Sequence, residues 1–181
     1  ADPTIESAWA DLATITPEAQ LGDLALFGGY EPDGDNAAET LAFVNALDAD
    51  GSAFQMSVNT DDANADPDEL LLTLAHEFSH VFTGINQQLD RSDEAIDGCD
   101  TYDNGEGCYL ADSVIYQWIA EFWDEELLST VDPLEDDPDD ADARCAVEAG
   151  FFGPYAATNP EEDFAEAFSA AGLTYEHRLI D

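Results

Sequence analysis

Asp66-Pro67-Asp68-Glu69-Leu70-Leu71-Leu72-Thr73-Leu74-Ala75-His76-Glu77-Phe78-Ser79-His80-Val81-Phe82 is the stretch on which the reading of this chain turns. Asp66 suits a helix N-cap, Pro67 the first helical position, and Glu69 the third residue of a capping box, so a helix is expected to begin there. Leu70, Leu71, Leu74, Ala75, Phe78, Val81 and Phe82 recur at spacings of three and four, a stripe that anchors one face in a core, and Gly84 suits the stop. His76 and His80 then share another face. One helical turn separates their Cβ atoms by about 5–6 Å, which lets both imidazoles reach one Zn²⁺ at about 2.0–2.1 Å each. Glu77 flanks that point, where it would take the proton of a water whose pKa zinc lowers. Five residues alone also fit a chance pattern in which the histidines merely pack or face solvent, so a third ligand has to be found.

The candidate lies in Tyr155-Ala-Ala-Thr-Asn-Pro-Glu-Glu-Asp-Phe-Ala-Glu-Ala-Phe168, where Asn159 and Pro160 form a second cap and first-turn pair. Phe164 and Phe168 share one face of the helix expected there, and Glu162 shares another with Glu166. A catalytic zinc takes three protein ligands and keeps one position open, so His76, His80 and Glu162 complete a His₂Glu set. His177, in Thr174-Tyr-Glu-His-Arg178, is the rival third ligand, without the cap and carboxylates that surround Glu162.

The two motifs together resemble the gluzincin metallopeptidases, in particular the group containing the anthrax lethal factor catalytic domain and related secreted bacterial enzymes. In that group a tyrosine stands seven residues before the ligand glutamate, in a Y-x-x-T-N-x-x-E-x-F-A-E-A-F pattern, as Tyr155 stands before Glu162. The resemblance implies that Glu162 is the third zinc ligand and that Tyr155 donates its hydroxyl to the oxyanion of a tetrahedral intermediate. Glu166 resembles the acid that orients a zinc-bound histidine. Read without the family, Tyr155 is equally a packed core aromatic and Glu166 a solvated surface acid. The likeness covers the run through Phe82 and then Phe151 to Phe168. An insertion with all three cysteines separates the two. The implied protein is a secreted zinc endopeptidase with a zincin-like, α+β fold.

At 181 residues the chain is long enough for one such catalytic domain. It is expected to span 1–181, with N-terminal helices and a strand over 1–65, the zinc helix over 66–84, a cysteine-containing insertion over 85–150 and the third-ligand helix over 151–181. Forty-three acids face three arginines and no lysine, a formal charge of −40, while 45% hydrophobic residues are enough for a core. Such a chain repels itself in dilute buffer, which favours adaptation to a saline habitat; a cationic partner or substrate is the other explanation. Nucleic acid is disfavoured for want of a basic footprint, and no apolar run is long enough for a membrane span. The expected partner is a peptide or protein substrate, cationic on the second explanation, and the expected state is a monomer.

Cys99 and Cys108 bracket a polar loop, and their pairing is favoured over one with Cys145, which otherwise reads as a small buried hydrophobe. A disulfide favours export, so the expected location is extracellular. The acidic loops Asp97 to Glu106 and Asp48-Ala-Asp-Gly51 admit calcium as a minor second ion, although neither has the EF-hand pattern, and ordinary acidic turns explain both. From them comes the alternative to an enzyme: an acidic calcium- or cation-binding secreted protein without catalytic activity.

Elsewhere, Thr4 to Thr14 and Pro17 to Phe27 read as short helices. Asn36 to Glu39 opens a further helix continued by Leu41, Val44 and Leu47. Ala53 to Asn59 alternates and reads as a strand before the zinc helix, either with an edge open to extended substrate or as an ordinary inner strand. Tyr109 to Trp123 reads as an aromatic helix, with Trp118 or Trp123 in the core or against substrate. The acidic stretch from Asp132 to Asp142 reads as a connection leading to a helix near Asp137-Pro138.

Overall fold

A computed structural model describes residues 2–31, 40–61, 63, 66–134 and 137–180, with the side chains of the last helix described as far as residue 171. Helix predominates over a small sheet, an α+β chain. The elements are α1 (Pro3–Ile15), α2 (Glu18–Leu21), β1 (Leu24–Tyr30), β2 (Ala42–Ala46), β3 (Phe54–Asn59), α3 (Pro67–Gly84), β4 (Leu89–Asp90), α4 (Asp93–Asp97), β5 (Cys108–Tyr109), α5 (Val114–Phe122), α6 (Glu125–Leu128), α7 (Pro138–Val147) and α8 (Pro160–Ile180). Two compact units are distinguished: one is built from Ala1–Asp48, Ser52–Phe82 and Phe168–Asp181, the other from Ala49–Gly51 and Thr83–Ala167.

The first unit contains a three-stranded sheet in the order β1-β3-β2. β3 runs parallel to β1, from Leu24↔Phe54 to Tyr30↔Asn59, and antiparallel to β2, from Ala42↔Val58 to Ala46↔Phe54. The strand before α3 is therefore the inner one, and neither of its sides is open to an incoming peptide. Its polar residues are buried as well: Ser57 accepts from Gln55 Nε2 at 2.9 Å, and Asn59 donates to the Thr40 carbonyl at 3.3 Å.

Two expected helices are corrected here. Leu24 to Phe27 belongs to β1 rather than to a helix from Pro17, of which only Glu18–Leu21 is helical. Residues 42–46 form β2 rather than continuing a helix; Asn36 and Glu39 lie outside the described residues. Short apolar runs carry no decisive period, and pairing with β3 decides both segments. Gly29 allows α1 and the end of β3 to close on β1, since a Cβ there would stand 2.5 Å from Thr60 Cγ2 and 2.9 Å from Ile5 Cδ1.

The second unit has its own core of Leu89, Tyr102, Tyr109, Ile115, Ile119 and Trp123. The aromatic helix starts later than expected: Cys108–Tyr109 pairs with β4, and Ser113 caps α5 by accepting from the Tyr116 N–H at 3.2 Å. Cys99 and Cys108 form the expected disulfide, and Cys145 is free and half-buried. Asp137 caps α7 as anticipated, accepting from the Asp139 N–H at 2.9 Å. Arg91 reaches the C-terminal end of α3, donating to the Gly84 carbonyl at 2.6 Å, which puts a cation at the negative end of that helix.

Candidate metal centre

Asp66 starts α3 as the sequence predicts, accepting from the N–H groups of Asp68 and Glu69 at 3.1 and 3.2 Å. The stripe then buries Leu70, Leu74, Ala75, Phe78 and Val81, which fixes the rotation of the helix and so the direction of its other faces. His76 is 7% exposed and His80 half-buried. Their Nε2 atoms approach to 3.2 Å, with ring centroids 5.0 Å apart and planes at 70°. Two nitrogens 3.2 Å apart, each about 2.0–2.1 Å from a common centre, subtend about 100° there, close to tetrahedral. With the proton on Nδ1 in each ring, both Nε2 atoms would be free to offer a lone pair to one ion.

Asn159 starts α8, its Oδ1 accepting from the Glu162 N–H at 2.9 Å. Glu161, Glu162 and Asp163 occupy the first turn, where the helix dipole favours negative charge. Glu162 is half-buried, and a ligand atom from each of His76, His80 and Glu162 lies within 4.8 Å of the others. Among the described residues this is the one group of three or more His, Cys, Asp or Glu side chains able to hold a metal ion. Two imidazoles and a carboxylate suit zinc, whereas calcium takes six to eight oxygens. His177 lies among the residues whose side chains are outside the description.

Glu77 and Glu166 are both half-buried, Glu77 beside His76 in α3 and Glu166 one turn after Glu162 in α8. Tyr155 is 59% exposed, so it is not a packed core aromatic; it borders a cavity with Glu162. The acidic loops use side chains to hold turns. Asp48 accepts from the Ser52 N–H and Oγ at 2.7 and 2.6 Å, Asp103 accepts from the Gly105 N–H at 2.8 Å, and Asn104 accepts from the N–H groups of Glu106 and Gly107.

Three contacts beside Glu162 had no signal in the sequence pattern. Asp163, 6% exposed, accepts at Oδ2 from the indole N–H of Trp118 at 2.8 Å and of Trp123 at 2.9 Å. Burial raises its pKa, and the two indole bonds act the other way. Trp118 and Trp123 thus turn their indole N–H groups onto one carboxylate. Tyr109, fully within the core, has its hydroxyl pushed well above the usual range by burial, then by the charge of Glu161 and its hydrogen bond to that carboxylate. Arg144, 6% exposed, donates to the carbonyls of Ala157 at 2.6 Å, Thr130 at 2.8 Å and Thr158 at 2.9 Å. It ties α7 to the loop that leads into α8.

No family model, curated protein or solved structure matches this chain. No helix among the described residues is long and apolar enough to cross a membrane.

Proposed function

We propose that the chain is a zinc-dependent peptidase of gluzincin type with a zincin-like catalytic domain, exported and adapted to salt. The observation that carries this reading is the meeting of His76, His80 and Glu162 donor atoms within 4.8 Å. His76, His80 and Glu162 would hold the zinc, which when bound would supply Lewis acidity toward a carbonyl and a water molecule. Glu77 takes the proton from that water and passes it to the departing amine. Tyr155, on an exposed loop beside Glu162, donates its hydroxyl to the oxyanion as the carbonyl becomes tetrahedral. Glu166 orients a ligand histidine, keeping the proton on the nitrogen that does not face the metal. The Cys99–Cys108 bond supports export, and the −40 charge supports a saline setting. Peptide rather than another amide as substrate rests on the motif resemblance.

The test is metal analysis joined to a peptide-library digest with and without a chelator. About one zinc per chain, lost in Glu162→Ala, is expected, together with chelator-sensitive cleavage. Glu77→Gln keeps the zinc and loses about 10²–10⁴-fold in turnover. Calcium uptake without zinc, or digestion indifferent to the chelator, would sink the proposal.

A further inference from the structure

A cavity of ≈ 280 Å³ shares Glu162 with the metal triad. Pro138, Ala141, Pro154, Tyr155 and Thr158 wall it, and Asp142 stands at the same cavity from α7. We propose that this cavity receives a basic side chain, lysine or arginine, of the peptide being cleaved, and that Asp142 selects it. This rests on the peptidase reading.

Size is the first argument. Pockets for whole drug-sized ligands run from about 300 to 1,000 Å³, so this one suits a single long side chain. Chemistry is the second. The prolines, the alanine and the tyrosine ring match the methylene stem of lysine or arginine, which buries its carbons while its charged head reaches a polar group. With Glu162 committed to the metal, Asp142 is the carboxylate left to meet that head. Asp142 is exposed, so a neutral side chain only forgoes its attraction, while an acidic one is repelled by it.

Rigidity is the third argument. Arg144 lies two residues beyond Asp142 on α7 and holds the carbonyls of Ala157 and Thr158 at 2.6 and 2.9 Å, locking the helix that carries Asp142 to the loop that carries Tyr155. The walls are set before a ligand arrives, which lowers the ordering cost of binding. The chain's −40 charge adds a field that draws in cationic peptides and turns away acidic ones.

The experiment uses peptides identical except at one residue next to the scissile bond, carrying lysine, arginine, norleucine or glutamate. Relative kcat/KM is measured on the zinc-loaded protein, and relative Kd on the zinc-loaded Glu77→Gln variant, which needs no turnover. Basic peptides are expected to exceed norleucine by about tenfold in both, the size of effect for one partly solvated charge pair. Asp142→Asn brings that ratio near one, and Asp142→Arg inverts it toward glutamate. Asp139→Asn makes the same charge change on the first turn of α7 and leaves the ratio intact; it separates the cavity from the general field. Zinc content and melting temperature show that each variant is folded. A wild-type ratio near one, a ratio that survives Asp142→Asn, or one lowered equally by Asp139→Asn overturns the inference and leaves the peptidase reading standing. If no peptide is cleaved, the peptidase reading fails and this inference falls with it.

Discussion

Replacing Arg144 by methionine keeps most of the side-chain stem and removes every donor. Three carbonyls then lose a charged partner: Ala157 at 2.6 Å, Thr130 at 2.8 Å and Thr158 at 2.9 Å. Ala157 is fully buried, so its carbonyl has no access to water and its loss belongs near the upper end of about 1–3 kcal/mol per orphaned group. Thr130 is exposed and Thr158 half-buried, so each carbonyl rehydrates in part and costs about 1 kcal/mol. Removing a buried charge returns about 2 kcal/mol of desolvation, leaving a net loss of about 3 kcal/mol. For a chain of 181 residues that is a fall in melting temperature of about 6–12 °C. Arg144→Lys retains the charge but not the planar fork. It reaches at most one carbonyl well and recovers about a third of the loss. Calorimetry in molar salt, where surface repulsion is screened, reads both variants. Weakened binding at the proposed metal site should accompany the loss, because Ala157 and Thr158 lead directly to the Asn159 cap that sets Glu162. A methionine variant melting within about 2 °C of wild type, or full rescue by lysine, would refute the reasoning.

The hydroxyl of Tyr109 has its folded-state pKa raised, chiefly by burial, so the folded state holds that proton more tightly than the unfolded one. Its contribution is fully present below the unfolded pKa near 10 and is lost as pH climbs above it; Tyr109→Phe should flatten this alkaline decline in chemical denaturation curves. The Cys99–Cys108 bond closes a separation of nine residues, for which chain entropy gives about 2.5 kcal/mol. The double serine variant, or the reduced protein, should melt lower by a corresponding margin, and an unchanged transition would count against it. Molar salt should raise the melting temperature over dilute buffer through screening of the −40 charge, with a flat response arguing for a surface that does not repel itself.

Legibility in the sequence followed the range of the interactions. The start of α3, the cap of α8 and the convergence of His76 with His80 depend on residues within a turn or two, and each was readable from spacing and capping chemistry. Glu162 lies a long way along the chain from His76 and His80, and its approach to them is legible because a metal held by two histidines asks for a third donor and few acids sit in a first turn after a good cap. β1 and β2 are not legible locally, because Leu24 to Phe27 and Leu41 to Leu47 have apolar spacings compatible with a helix, and only pairing with β3 overrules it. Asp163 reads like any other acid in a chain that has 43 of them. Nothing local distinguishes the one that meets indoles 40 and 45 residues away. Arg144 was likewise legible as a charge and not as a clamp, since its partners are backbone carbonyls that no side-chain pattern encodes.

Arg144 has a practical corollary for watching the molecule move. A trypsin-like protease cuts after lysine or arginine, and this sequence offers it three bonds in 181 residues. The bond after Arg144 lies inside α7 with its guanidinium engaged, and the bond after Arg91 follows a side chain 10% exposed and attached to the end of α3. A protease needs an arginine withdrawn into its own pocket with the flanking backbone extended, so neither bond is a substrate while these helices are intact. The rate of nicking at Arg144 becomes a clock for the opening of α7, read from fragment masses without any label.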